Sequence, residues 1–326
     1  MFNMITTTKL TKKFNSFTAV DGINLDIRKG ELFGLLGPNG AGKSTTIYML
    51  TTLLASTSGK AIVNGFDIAT QSDEVRKSIG VVFQDPTVDT RLSAFDNLDI
   101  HGRLYGMNKA EREKRINEVL KLVDLVEWKH KIVKTFSSGM RRRLEIARGL
   151  MHTPTILFLD EPTLGLDPQT RRNIWGYIEK LKREGMTIVL TTHYLEEADY
   201  LCDRVAIIDH GRIVAIDTPS KLKELIRGDV VELESSDPKG IEALLNKSKL
   251  GTKFRETGKL LRFKVKDGSR SIAKIMALAD RHGIKIESIE LHKPSLEDVF
   301  LHYTGRLIRE EKAPSMEMMR RRIRGH

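Results

Sequence analysis

One nine-residue stretch constrains this 326-residue chain more than any other: Gly37-Pro38-Asn39-Gly40-Ala41-Gly42-Lys43-Ser44-Thr45. It fits G-x-x-x-x-G-K-[ST], with Gly37, Gly42, Lys43 and Ser44 in the fixed places. Glycines at 37, 40 and 42 let the backbone curl until successive N–H groups converge, the donor array a polyphosphate needs. Lys43 adds a point charge for the β- and γ-phosphates, and the Ser44 hydroxyl is a ligand for Mg²⁺. The apolar run Leu32-Phe33-Gly34-Leu35-Leu36 reads as a buried strand before the loop. Ser44 to Leu54 reads as a helix whose N-terminal end faces the phosphates. A glycine-rich turn that binds nothing has no need of that strand–loop–helix frame. The expectation is a nucleotide-binding α/β domain.

Further candidates follow in chain order. Residues 4 to 31 alternate apolar and polar around Ile5, Leu10, Ala19, Val20, Ile23, Leu25 and Ile27, which predicts short antiparallel strands. Phe14 sits among polar residues and reads either as a stacking partner for an adenine ring or as an ordinary half-buried aromatic. Lys60 to Val63 predicts a strand with Asn64-Gly65 as its turn. Ile79 to Asp85 predicts a buried strand that delivers Gln84 toward a metal or an attacking water. Residues 91 to 150 carry helix formers with a 3.6-residue apolar period, for example Ile116, Val119, Leu120 and Val123.

Inside that helical region lies Phe136-Ser137-Ser138-Gly139-Met140-Arg141-Arg142-Arg143. Ser137 reads as an N-cap, with Ser138 and Gly139 in the first turn, and free N–H groups there form an anion site. On local grounds the simpler reading is a capped helix with a solvated Arg face. Ile156-Leu157-Phe158-Leu159 then leads into Asp160-Glu161, the pattern of a central parallel strand whose tip meets the site. Asp160 is the candidate Mg²⁺ ligand, and Glu161 the candidate acceptor of a proton from water attacking the γ-phosphate. Asp167-Pro168 opens the next helix. Thr187 to Leu190 predicts a further strand, ending near His193, which is placed to bond the γ-phosphate or the ordered water.

Composition narrows the setting. The chain is 40% hydrophobic and 30% charged, with one cysteine, so neither an internal disulfide nor a cysteine metal site is available. Cys202 is expected to be a small buried apolar group. No window approaches 18 apolar residues and the start lacks a signal-peptide core, so the cytosol is the expected compartment. The net charge of +11 fits nucleic acid, an anionic membrane surface or, the simplest of the three, plain solvation. Beyond Pro219 to Gly228 the pattern changes. Val230–Glu234, Leu260–Val265 and Ile284–Leu291 predict strands, with helices at Ile241–Leu245 and Ile272–Ala279: a small α/β appendage of possible ferredoxin-like form. Residues 306 to 326 hold seven Arg or Lys against three Glu and read as a basic disordered tail.

Taken together, these pieces resemble an ABC-type ATPase cassette. The motifs stand in that family's order: an aromatic (Phe14), Gly37 to Thr45 (Walker A), Gln84 (Q-loop), Ser137-Ser138-Gly139 (signature), Ile156 to Glu161 (Walker B), Asp167 (D-loop) and His193 (switch histidine). The resemblance implies a P-loop NTPase with a RecA-like core, an antiparallel β piece and a helical subdomain over about 86–150. The cassette would span 1–225, an accessory α/β domain 226–305, and the tail 306–326. It further implies that Phe14, Gly37, Pro38, Asn39, Gly40, Ala41, Gly42, Lys43, Ser44, Thr45, Ser137, Ser138, Gly139 and Asp167 contact ATP. Ser44, Gln84 and Asp160 would hold Mg²⁺, while Glu161, His193 and Gln84 would serve catalysis. One departure stands out: where the family usually has Leu-Ser-Gly-Gly-Gln, this chain has Phe136-Ser137-Ser138-Gly139-Met140.

In such cassettes the signature residues reach the nucleotide of the opposite subunit, which implies a head-to-tail homodimer sandwiching two ATP molecules. Pro294 to Arg306 is similar to the ending of daunorubicin/doxorubicin-resistance-type exporter ATPases. The expectation is therefore the ATP-hydrolysing subunit of a drug exporter. It would work with a separate transmembrane permease, sit peripherally on the inner face of the membrane through that permease, and bind no nucleic acid. A soluble ABC ATPase acting on nucleic acid or ribosomes, and a regulatory ATP-binding module, are the alternatives. Against the first stand a single Walker A and a short interval from Lys43 to Asp160 without sustained heptads; against the second stand Glu161 and His193.

Overall fold

The computed structural model describes residues 3–226 and 228–304. The chain divides into two units between Pro219 and Ser220. In the first, β1 (Asn3–Phe14) and β2 (Phe17–Arg28) form a hairpin, followed by β3 (Leu32–Leu36) and α1 (Lys43–Leu50). Then come β4 (Ser58–Val63), β5 (Phe66–Asp67), α2 (Ser72–Ser78) and β6 (Ile79–Val82). The helical region holds α3 (Ala94–Leu104), α4 (Lys109–Leu122) and α5 (Ser138–Gly149). The unit closes with β7 (Ile156–Asp160), α6 (Pro168–Arg183), β8 (Thr187–Thr192), α7 (Leu195–Leu201), β9 (Arg204–Asp209) and β10 (Arg212–Asp217).

Two sheets organise this unit. The first is antiparallel, in the order β2-β1-β4-β5. Where the sequence predicts several short strands, the structure has two of 12 residues each. Register shifts between Thr7 and Lys13 interrupt the alternation, so one bulged strand reads as fragments. Asn64 and Gly65, with φ of 51° and 85°, make the expected tight turn from β4 to β5. The second sheet runs β10-β9-β3-β8-β7-β6, with every pairing parallel except β10 on β9. β3, β7 and β8 are buried along their whole length, as their continuous apolar runs require of a sheet covered on both faces. Their carboxyl ends therefore open on one edge, which is where Gly37, Asp160 and Thr192 emerge.

Several element ends differ from expectation. Helix α1 stops at Leu50, four residues early, because Thr51 folds its hydroxyl back to the Ile47 carbonyl (2.9 Å) and Thr52 takes φ 63°. β6 ends at Val82, leaving Phe83 and Gln84 outside the strand. Ile116, Val119, Leu120 and Val123 are buried, as their period predicts. Cys202 is buried with its Sγ against Gly34.

In the second unit α8 (Pro219–Leu225) leads into β11 (Asp229–Ser235), α9 (Pro238–Lys247), β12 (Thr252–Thr257), β13 (Leu260–Val265), α10 (Gly268–Arg281), β14 (Ile286–His292) and α11 (Leu296–Thr304). The β-α-β-β-α-β order with an antiparallel sheet β12-β13-β11-β14 is the ferredoxin-like arrangement. Its core is Val231, Leu233, Ile241, Leu245, Leu261, Phe263, Val265, Ile275 and Ala279. β12 has no counterpart in the sequence reading. It is an edge strand on which only Phe254 is even half-buried, so no alternation marks it. The tail from residue 306 lies outside the described residues.

Candidate nucleotide site

The loop from Gly37 to Gly42 connects β3 to α1 over the open sheet edge. Gly42 caps α1 with φ 105°, and a Cβ there would stand 2.5 Å from the Ala19 carbonyl oxygen. Gly37 needs its bare Cα for packing rather than for φ: a Cβ would lie 2.3 Å from the Ile208 carbonyl oxygen. Helix α1 has no acidic residue in its first turn and no side-chain cap, so its N-terminal N–H groups and dipole are left for an anion.

Lys43 is buried beneath the loop. Its Nζ donates to the carbonyls of Gly37 (2.8 Å) and Pro38 (3.2 Å) and pairs with Glu161 Oε1 at 3.0 Å. Glu161 Oε2 in turn lies 2.6 Å from His193 Nδ1. Burial raises the Glu161 pKa, but the His193 hydrogen bond and the Lys43 charge together outweigh it, and the carboxyl is held below its ordinary value. Glu161 also adopts φ 49°, fixed by its N–H donating to Thr191 Oγ1 (3.0 Å). A non-glycine residue held there costs about 1–3 kcal/mol, a strain typical of functional positions.

Asp160, the last residue of β7, is fully buried. Its Oδ1 accepts from Ser44 Oγ (3.0 Å) and Thr191 Oγ1 (2.5 Å), while its Oδ2 has no partner. Burial pushes its pKa up, against those two hydrogen bonds. A buried carboxylate oxygen without a donor, next to a serine hydroxyl, is a hard-oxygen donor set of the kind that suits Mg²⁺, which takes few protein ligands and completes its shell with phosphate and water.

The structure thus brings Lys43, Ser44, Asp160, Glu161 and His193 into one connected cluster. Gln84 is half-buried just past β6, beside β7 in the sheet, and is joined to none of these groups. Phe14 ends β1 at the hairpin tip, 46% exposed, with Lys12 Nζ 5.1 Å from its ring centre. Ser137 caps α5 by accepting from Met140 N (3.2 Å), and Ser137 and Ser138 are exposed. Gly139 is buried: a Cβ there would meet Thr170 Cγ2 at 2.4 Å, so α5 and α6 approach through this glycine. Asp167 caps α6 through Thr170 N (2.9 Å).

The expected solvated Arg face of α5 is corrected at its centre. Arg142 is buried and donates to the carbonyls of Pro162 (2.7 Å), Asp160 (3.0 Å) and Phe83, and to Glu145 Oε2 (3.0 Å). It ties the helix after the signature to both the Glu161 strand end and the Gln84 segment. A helical count shows the signal: Gly139, Arg142, Ile146 and Gly149 lie along one stripe. Sequence reading also passed over Glu145, which accepts from Thr87 N (2.5 Å), and Glu197. Glu197 accepts from Thr163 Oγ1 (2.8 Å) and Trp175 Nε1 (2.9 Å), and burial raises its pKa.

The comparisons agree with this geometry. The family model described as "ABC transporter" matches residues 20–164, and that described as "ATP-binding protein DrrA1-3-like, C-terminal domain" matches 218–304. The daunorubicin/doxorubicin resistance ATP-binding protein DrrA of Streptomyces peucetius is 41% identical over 304 residues, 92% of each chain. The linearmycin resistance ATP-binding protein LnrL of Bacillus subtilis (strain 168) is 38% identical, over 94% of this chain and 100% of that one. Among solved structures, the ATP-binding cassette MJ0796 bound to ADP and Pi, a dimer in a post-hydrolysis state, superimposes with a TM-score of 0.60 at 29% identity, covering 66% of this chain and 98% of that one. No helix among the described residues is long and apolar enough to cross a membrane. With relatives aligned along nearly its whole length and the phosphate loop, acidic strand end and histidine joined in one cluster, the chain belongs to the ATP-binding, ATP-hydrolysing subunits of ABC transporters.

Proposed function

We propose that this chain is the motor of a drug exporter, hydrolysing ATP in a head-to-tail homodimer and driving a separate permease from the inner face of the membrane. The observation that carries the reading is the likeness to drug-resistance ATP-binding proteins, which extends through the C-terminal unit as well as the cassette. Within the cassette, Lys43 and the N–H groups at the start of α1 bind the triphosphate, and Phe14 offers an exposed ring to the base. Ser44 and Asp160 would hold Mg²⁺, which supplies charge neutralisation at the phosphates. Gln84 completes the site from the far edge of the sheet.

Glu161 acts as the general base, taking the proton of the attacking water at a carboxylate oxygen. Lys43 is shared between loop carbonyls and Glu161. Phosphate oxygens compete for the same ammonium. Drawing Lys43 toward them removes one of the charges that lowers the Glu161 pKa, so the carboxylate becomes more basic as the substrate settles. His193 holds Glu161 through Nδ1, and with both ring nitrogens protonated its Nε2–H would donate to the γ-phosphate. Ser137 and Ser138 face outward, available to a nucleotide on a second copy.

The test of the transport reading uses membrane vesicles carrying this chain together with its permease. ATP-dependent accumulation of doxorubicin that disappears with Glu161→Gln is expected. ATP hydrolysis by the purified chain without drug-dependent transport would overturn the drug assignment while leaving the motor intact.

A further inference from the structure

The ferredoxin-like unit contains a cavity of about 230 Å³ lined by Gly228, Lys249, Gly251, Thr252, Lys264 and Lys266 among others. Three lysines line this one space, and none of them forms an ion pair with a carboxylate among the described residues. The register of the sheet makes this specific. On β13, Arg262 lies opposite Glu232 of β11 and pairs with it at 3.2 Å. Two residues on, half-buried Lys264 lies opposite Val230 on β11 and Thr252 on β12, so no carboxylate faces it across either strand. The nearest acids along the chain are turned to the start of α10. Asp229 Oδ2 accepts from Gly268 N (2.7 Å), while Asp267 caps Arg270 N (3.1 Å) and pairs with the Arg270 side chain (3.6 Å).

Lysines gathered around one space with no carboxylate among them leave a local positive potential unanswered. A multivalent anion answers it. Lysine binds phosphate as a point charge, and Gly228, Gly251 and Thr252 complete the lining. A space of this volume takes a phosphate group with several waters, at about 30 Å³ for each water. We propose that the C-terminal unit binds a phosphate-bearing anion in this cavity, through Lys249, Lys264 and Lys266, at a site separate from the cassette.

Two sources share this chemistry, a free phosphate compound and a lipid headgroup. The full-length chain, its cassette saturated with ADP, is titrated with pyrophosphate by calorimetry and, separately, floated with phosphatidylglycerol or phosphatidylcholine vesicles. Lys264→Gln/Lys266→Gln is carried alongside, with unchanged ATP turnover as the check that it is folded. Pyrophosphate binding that weakens by about tenfold or more in the variant supports the site with a soluble ligand. Flotation on phosphatidylglycerol alone, lost in the variant and screened by salt, supports it with a headgroup. Binding of equal strength in both proteins, or no binding of either probe to the wild type, overturns the proposal.

Discussion

The phosphate-loop end of the cassette and the start of α5, which we propose serve the same ligand, are built in opposite ways. At the loop the charges are wired within the chain, Lys43 to Glu161 and Glu161 to His193, and Asp160 binds Ser44 and Thr191 through one oxygen while the other has no partner. All of these groups are buried or nearly so. At α5 the capping serine and its neighbour point to solvent, and only Gly139 is enclosed, by Thr170. One chain thus holds a wired cluster and, at α5, an open helix start. The difference teaches why the proposed working unit is a pair, since an outward signature has nothing of its own chain to close upon.

The largest effect is expected from stripping the wired cluster. Lys43→Ala removes the phosphate charge and leaves Glu161 short of a partner, so steady-state phosphate release should fall by about a thousandfold. Residual turnover within tenfold of wild type would break the contrast. Cutting the tie between the two regions comes next. Arg142→Ala leaves Glu145 buried without its cation and three carbonyls without their donor, and should cost about 3–5 kcal/mol in denaturant unfolding.

A third expectation concerns the helical region. Burial, helped by Arg148 and His152, lowers the His101 pKa from 6.5 to about 4. The fold therefore favours the neutral ring. Its contribution is whole above about pH 6.5 and drains as pH falls toward 4, up to about 3 kcal/mol. His101→Gln should flatten that part of the stability–pH profile; an unchanged slope refutes the assignment. The smallest effect concerns the open helix start. Gly139→Ala forces α5 off Thr170 and should cost about 1–3 kcal/mol. Thr170→Ser, which deletes the clashing methyl, should recover most of the loss in the double variant.

How much of this was legible follows the same division. Gly37 to Thr45 and Asp160-Glu161 were readable because phosphate chemistry dictates residue types at fixed spacing, and the apolar runs of β3, β7 and β8 announced buried parallel strands. Ser137 was readable as a cap because N-capping is local. Arg142 was not, since flanking Arg141 and Arg143 give it the look of a solvated run, and its partners Phe83, Asp160 and Pro162 are remote in sequence backbone carbonyls. Carbonyls leave no mark on a sequence. β12 escaped for the converse reason, as an edge strand held by its ladder to β13 rather than by an apolar face.

The central claim is that two open halves close on ATP and that Glu161 is the base that reopens them. It is tested most directly by sizing chromatography and phosphate release for wild type and Glu161→Gln in Mg·ATP. The account predicts slow turnover and a monomer for the wild type, with turnover down about a hundredfold or more and a trapped dimer for the variant. A variant that hydrolyses ATP at the wild-type rate, or that stays monomeric with ATP bound, would contradict it.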